Sequence, residues 1–291
     1  MPGKGNSTMA VAHLKHWNIS FGEGQPLAVI AGLNVLENLE LALEVGRHLK
    51  AVTADLGLPF VFKASFDKAN RSSNASYRGP GLKDGLAMLA EIKRILNVPI
   101  ATDIHEIDQA EAVAAVADLV QIPAFLCRQT DLIVATAIAT QRASGLLHVK
   151  KAQFLAPWDC KNIIAKARAV APDLQIVLCE RGSSFGYNNL IVDMLGIAEM
   201  QRLGVPVTID ATHSVQLPGA DPRTNGGSTG GRREGVPIIA KAAVAAGADG
   251  VFLEFHPDPD RALCDGPSCL PLDAAASLLS TLRSVHRAVR S

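Results

Sequence analysis

The sequence predicts an α/β fold, a (β/α)8 TIM barrel with a short N-terminal extension, on three observations. Short apolar runs rich in Val, Ile and Phe recur along the chain, each followed by a polar loop and then a helical pattern. Eight such runs start between residues 27 and 250, about 32 residues apart, which is room for one strand and one crossover helix. The runs are apolar almost throughout, as strands buried on both faces are, and no GxGxxG follows the first to suggest a dinucleotide-binding sheet.

In order, the strands are expected at LAVIAG (27–32), PFVFKASF (59–66), PIATDI (99–104), LVQIPAF (119–125), LLHVKKA (146–152), QIVLCERG (175–182), PVTIDATH (206–213) and GVFLEFH (250–256). A last helix, LDAAASLLSTLRSVHRAV, closes the ring. Residues 27–291 thus form a single barrel domain. Residues 1–26, of mixed polarity with several glycines, are an extension that reads as a tail or a small cap.

Composition narrows the partners. Twenty-eight Lys and Arg balance 28 Asp and Glu, so no global field points to nucleic acid or a membrane surface. Five scattered cysteines, an odd number, argue against a disulfide framework and for a reducing compartment. The start carries no apolar signal-peptide core, and no stretch has the roughly 18 uninterrupted apolar residues of a membrane span. The expectation is a soluble cytoplasmic protein acting on small-molecule substrates, with no nucleic-acid or membrane partner.

A barrel gathers the C-terminal ends of its strands around one mouth, where residues distant in sequence meet. Those ends supply Asn34, Lys63, Ser65, Asp67, Lys68, Asn70, Arg71, Asp103, His105, Gln121, Phe125, Arg128, Lys150, Lys151, Gln153, Glu180, Arg181, Asp210, His213, Arg232, Arg233, Glu254, His256 and Asp265. The excess of cations is the main signal, because Lys and Arg are costly to desolvate unless they meet anions. A substrate set with several negative charges follows. Strand alternation lets at most one of Lys150 and Lys151 reach a ligand. Asp103 and His105 read equally well as a structural hydrogen-bonded pair. The glycine-rich segment TNGGSTGGRREG suits a phosphate cradle, a lid or plain surface. His213, Glu254 and Asp265 have metal-ligand chemistry at spacings that form no local motif.

Long segments carry a resemblance. FKASFDKANRSS (62–73), YRGPG (77–81), TDIHE (102–106), QIPAFLCRQTDL (121–132), KKAQFLAPWD (150–159), ERGSSFGYNNLIVDM (180–194), DATHSVQLPG (210–219) and HPDPDRALCDGP (256–267) resemble, in order, the family of 3-deoxy-D-manno-octulosonate 8-phosphate synthases. The resemblance spans residues 27 to 275. It implies condensation of phosphoenolpyruvate with D-arabinose 5-phosphate, releasing phosphate by C–O cleavage, in supply of a lipopolysaccharide sugar. It also implies that Lys68, Lys150, Gln153 and Arg181 hold phosphoenolpyruvate, with Lys63, Ser65, Gln121 and Arg128 around it. Asn70, Arg71 and Ser72 would serve the pentose phosphate, the Arg-Ser pair reaching a neighbouring subunit's site in a homotetramer. Asp103, His105, His213 and Asp265 would order water and move protons, and Lys68 would face the aldehyde oxygen.

One position separates two branches of that family. Where the metal-dependent branch has a Cys that binds a divalent ion together with residues matching His213, Glu254 and Asp265, this chain has Asn34. An amide is a poor substitute for thiolate towards a zinc- or iron-like ion, so no metal and no other cofactor is expected. CDGP (264–267) agrees with the metal-independent branch, while QFLAPWD and DATHSVQLPG read more like the other. Two rival readings are a related synthase using erythrose 4-phosphate, against which KANRSS speaks, and a catalytically silent sugar-phosphate-binding barrel.

Overall fold

The structure is a computed structural model in which residues 11–221 and 229–290 are described. It begins with an antiparallel hairpin, β1 (Ala12–Leu14) and β2 (Ile19–Phe21). The barrel follows as β3 (Ala28–Val35), α1 (Leu39–Leu56), β4 (Phe60–Ser65), α2 (Leu82–Leu96), β5 (Ile100–Asp103), α3 (Ala110–Val116), β6 (Leu119–Ile122), α4 (Thr130–Arg142), β7 (Leu146–Lys150), α5 (Cys160–Val170) and β8 (Gln175–Glu180). A small hairpin, β9 (Ser183–Ser184) and β10 (Leu190–Ile191), precedes α6 (Met194–Gln201) and β11 (Val207–Asp210). A second, β12 (Gln216–Leu217) and β13 (Gly230–Gly231), precedes α7 (Val236–Ala245), β14 (Gly250–His256), β15 (Leu270–Pro271) and α8 (Ala275–Arg290).

Strands β3, β4, β5, β6, β7, β8, β11 and β14 pair in parallel in that order, and β14 pairs with β3, closing an eight-stranded barrel. All eight expected strands are present, several stopping short at their C-terminal ends. LVQIPAF ends as a strand at Ile122, because Pro123 has no N–H for the ladder and Ala124–Leu126 turn into a 3₁₀ helix. Helix α1 starts where Asn38 caps Leu41 N through its side chain and stops at Gly57, whose φ of 63° suits glycine.

Two cores result. The larger lies between the outer face of the strands and the ring of helices. The smaller fills the lower barrel interior, where Ile30, Val61, Leu119, Val177 and Phe252 pack against Leu14, Ile19 and Phe21 of the hairpin. The described part of the extension is therefore a plug that closes the barrel end opposite the mouth. Residues 1–10 of the extension, and Thr224 to Ser228 of the glycine-rich segment, lie outside the described residues.

Candidate active site

At the mouth lies a cavity of about 830 Å³. Of the expected site residues, Lys68, Asn70, Arg71, Ser72, Asp103, His105, Gln121, Lys150, Gln153, Arg181, His213 and Asp265 line it. Arg71 and Ser72 thus line the cavity of their own subunit, where the resemblance implied a neighbour's. Asn34, Lys63, Ser65 and Glu254 are buried without lining it. Arg128 is exposed and does not line it, lying beyond the 3₁₀ turn Ala124–Leu126 that does.

Beneath the mouth, Asn34 ties three strand ends together. A register irregularity between Gly32 and Val35 lets β3 bend there. Gly32 is required at this bend, because a Cβ would come within 2.0 Å of the Lys63 carbonyl oxygen. Asn34 Nδ2 donates to Glu254 Oε2 and, at 3.1 Å, to Asp265 Oδ2, and lies 3.4 Å from His213 Nε2. Two carboxylates on one side of an amide demand its NH₂ there, which leaves the buried Oδ1 without a partner among the described residues. Lys63 Nζ, 1% exposed, donates to Glu254 Oε1 at 3.0 Å and to the Asn34 carbonyl at 3.1 Å. As arranged, the quartet of Asn34, His213, Glu254 and Asp265 does not fit a divalent ion. The donor-only NH₂ stands where a thiolate would ligate, and it occupies both carboxylates.

Around this hub, acids and bases alternate. Asp210 Oδ2 accepts from Lys150 Nζ at 2.6 Å and pairs with His213 Nδ1 at 2.8 Å, while Oδ1 accepts from His213 N at 2.9 Å. With its proton on Nδ1, His213 turns an acceptor Nε2 towards Asn34 and the cavity. Burial alone would raise the Asp210 pKa, but its contact with His213 Nδ1 and the Lys150 ammonium hold it well below the usual carboxylate range. Asp103 behaves alike: burial is overcome by the Lys68 charge and by His105, whose Nε2 lies 3.3 Å from Asp103 Oδ2. Lys68, in turn, is raised despite burial, by Asp103 and Glu254, and stays protonated. Burial pushes the Lys63 ammonium down, partly offset by Glu254.

Lys150 and Lys151 divide as strand alternation requires. Lys150 Nζ sits in the cavity, 3.8 Å from the Phe252 ring centroid, a cation–π contact. Lys151 is taken up by Ser183 Oγ at 3.1 Å, by two backbone carbonyls and by Glu180 at 3.5 Å. Arg181 reaches Gln216 Oε1 with one nitrogen, while its buried Nη1 has no partner among the described residues.

Sequence reasoning gave no role to Asp210 and passed over Phe252, Gln216 and Cys264. Phe252 was within reach of the period-2 rule, being two residues before Glu254 on the same face of β14. Cys264, whose Sγ accepts from Arg71 Nη1, adjoins Asp265 in the CDGP segment. Only the fold brings Gln216 to Arg181.

The DAHP synthetase I family matches residues 7–291. A 2-dehydro-3-deoxyphosphooctonate aldolase of Geobacter metallireducens is 50% identical over 273 residues, covering 94% of this chain and 97% of the relative. Those of Pseudomonas putida and Methylococcus capsulatus are 51% and 52% identical over 274 and 270 residues, covering 94% and 93% of this chain and 94% and 92% of the relatives.

Proposed function

The chain belongs to the DAHP synthetase I family and is a carbon–carbon bond-forming enzyme, and we propose that it condenses phosphoenolpyruvate with D-arabinose 5-phosphate and water. The products are 3-deoxy-D-manno-octulosonate 8-phosphate, a lipopolysaccharide sugar precursor, and inorganic phosphate. The observation that carries this reading is the convergence of Lys68, Arg71, Lys150 and Arg181 on one cavity large enough for two phosphate esters. Two anions repel, and fixed cations both cancel that repulsion and orient the reacting carbons.

In this reading Lys68, Lys150, Gln153 and Arg181 bind phosphoenolpyruvate, with Gln121 beside them and Lys63 and Ser65 beneath. Asn70, Arg71 and Ser72 take the pentose phosphate. C3 of the enol attacks the aldehyde carbon, and the new alkoxide takes a proton next to the Lys68 ammonium. Water adds to C2, and the tetrahedral intermediate expels phosphate with its bridging oxygen. His213 accepts the proton of that water at Nε2, Asp210 holding its other nitrogen, while Asp265, Asp103 and His105 order the water.

The reading also assigns the chain to the metal-independent branch, supported by the Asn34 hydrogen bonds to Glu254 and Asp265. It further makes the enzyme a cytoplasmic homotetramer. Phe154, Trp158, Phe185 and Tyr187 are exposed and suit burial between subunits, and Arg128, outside its own cavity, is free to serve another. No helix among the described residues is long and apolar enough to cross a membrane. Sedimentation at working concentration tests the tetramer; a monomer rules it out.

The main test is phosphate release from phosphoenolpyruvate plus arabinose 5-phosphate, using protein dialysed against chelator and then supplied with divalent ions. Full activity after dialysis is expected. Activity restored only by metal removes the Asn34 argument, and preference for erythrose 4-phosphate or no turnover removes the substrate pair.

A further inference from the structure

One buried titratable group has no part in the chemistry above. His148, in the middle of β7, is 0% exposed inside the barrel below the cavity floor. Its Nδ1 lies 3.2 Å from Gln121 Oε1 on the neighbouring strand β6, and its Nε2 lies 2.9 Å from Thr208 Oγ1 on β11. The ring stacks on Phe252, with centroids 6.4 Å apart and planes 11° from parallel, which leaves it little freedom to rotate. Burial and the nearby Lys150 charge push its pKa down to about 3, so the ring is neutral and carries one N–H.

Where that proton sits follows from Gln121. Its Oε1 can only accept, so His148 Nδ1 facing it at 3.2 Å carries the proton and Nε2 accepts from the Thr208 hydroxyl at 2.9 Å, the Leu178 carbonyl 3.3 Å away sharing that hydroxyl hydrogen. The imidazole proton thus donates to Gln121 Oε1. Gln121 lines the cavity, and among the described residues no partner besides His148 takes up its side chain. A carboxamide held by its oxygen turns its NH₂ the other way.

We propose that His148 is a positioning residue: the relay Thr208–His148–Gln121 locks the Gln121 carboxamide with its NH₂ towards the cavity, as a donor to the anionic phosphoenolpyruvate. Without the lock the amide turns over and offers an oxygen to an anion. The inference rests on the proposed function only in taking Gln121 to face phosphoenolpyruvate.

The experiment measures KM for each substrate separately, with the full chain and single and paired variants. His148→Leu raises KM for phosphoenolpyruvate about 10-fold, the scale of one misdirected buried hydrogen bond, and leaves KM for the pentose phosphate and the Tm of the folded enzyme nearly unchanged. His148→Asn, whose Nδ2 stands where the imidazole Nδ1 stood, brings KM back to within about 3-fold of the unaltered enzyme. Thr208→Val, which removes the hydroxyl alone, gives an intermediate rise and stands in should His148→Leu not fold. In a Gln121→Ala background neither change raises KM further, because all three act through one amide. Additive effects in that background, equal rises for both substrates, or a His148→Asn as impaired as His148→Leu each overturn the relay. An unchanged KM in Gln121→Ala alone overturns it through its premise, while continued phosphate release from the two substrates leaves the proposed reaction standing.

Discussion

The two ends of the barrel are built from the same eight strands and hold opposite chemistries. At the lower end the interior is hydrocarbon, and the hairpin side chains Leu14, Ile19 and Phe21 complete it. At the mouth the interior holds Lys63, Asp210, Glu254 and Arg181, all at most 5% exposed. Phe252 separates the halves: it belongs to the lower cluster, yet Lys63 and Lys150 approach its ring from above. The difference teaches where stability and function reside. Buried charges add little net stability even when paired, so the mouth is held in shape largely by the hydrocarbon around and below it.

That division can be broken from either end. Lys68→Met, which removes a cation from the cavity, is expected to lower kcat/KM about 10³-fold, while the enzyme still folds with a Tm lowered by the loss of the charge that faces Asp103. Steady-state rates beside a thermal melt check it, and loss of fold in step with activity contradicts the division. Phe21→Ala at the opposite end is expected to cost about 3 kcal/mol of stability while kcat at a temperature well below the melt stays within about 2-fold. A chemical-denaturation curve reads the first quantity and a rate assay the second.

The carboxylates give a pH signature. Asp103 and Asp210 sit well below their ordinary values and Glu254 lies lower than usual, the cations at the mouth outweighing the burial that opposes them. Depressed carboxylates contribute stability in full above their unfolded values of about 4, and that contribution is lost as pH falls towards the folded values. Asp210→Asn removes one contributor, so the stability lost between about pH 5 and pH 3 should shrink by about 1 kcal/mol. An unchanged slope across acid denaturation curves counts against the pairing of Asp210 with Lys150 and His213. The smallest effect belongs to the lower end. Trp17 Nε1 donates to Asp118 Oδ1 at 2.8 Å, so Trp17→Phe should cost about 1 kcal/mol in a denaturant titration and leave both KM values alone.

Much of the fold was legible because a barrel strand buried on both faces writes itself as an apolar run. The hairpin plug was not, since three-residue strands such as Ala12–Leu14 and Ile19–Phe21 are too short for any period to show. The candidate site was legible in its membership, twelve of the expected residues lining one cavity. Its wiring was not. Alternation separated Lys150 from Lys151, but nothing local to residue 148 shows that His148 meets Gln121 and Thr208. Arg128 followed the same strand-end logic as Gln121 and fell outside the cavity, because it lies beyond Leu126, where this segment last touches the cavity.

The sequence by itself determined the fold class, the strand order and the cationic character of the mouth, because periodicity and charge are local properties of the chain. Only the tertiary structure decided that Asn34 bridges Glu254 and Asp265, residues more than 200 positions away, and that Asp210 holds Lys150 and His213 together. Those contacts depend on barrel closure between β14 and β3 and on register between neighbouring strands, and hydrogen bonds of about 3 Å form only once closure sets the distances.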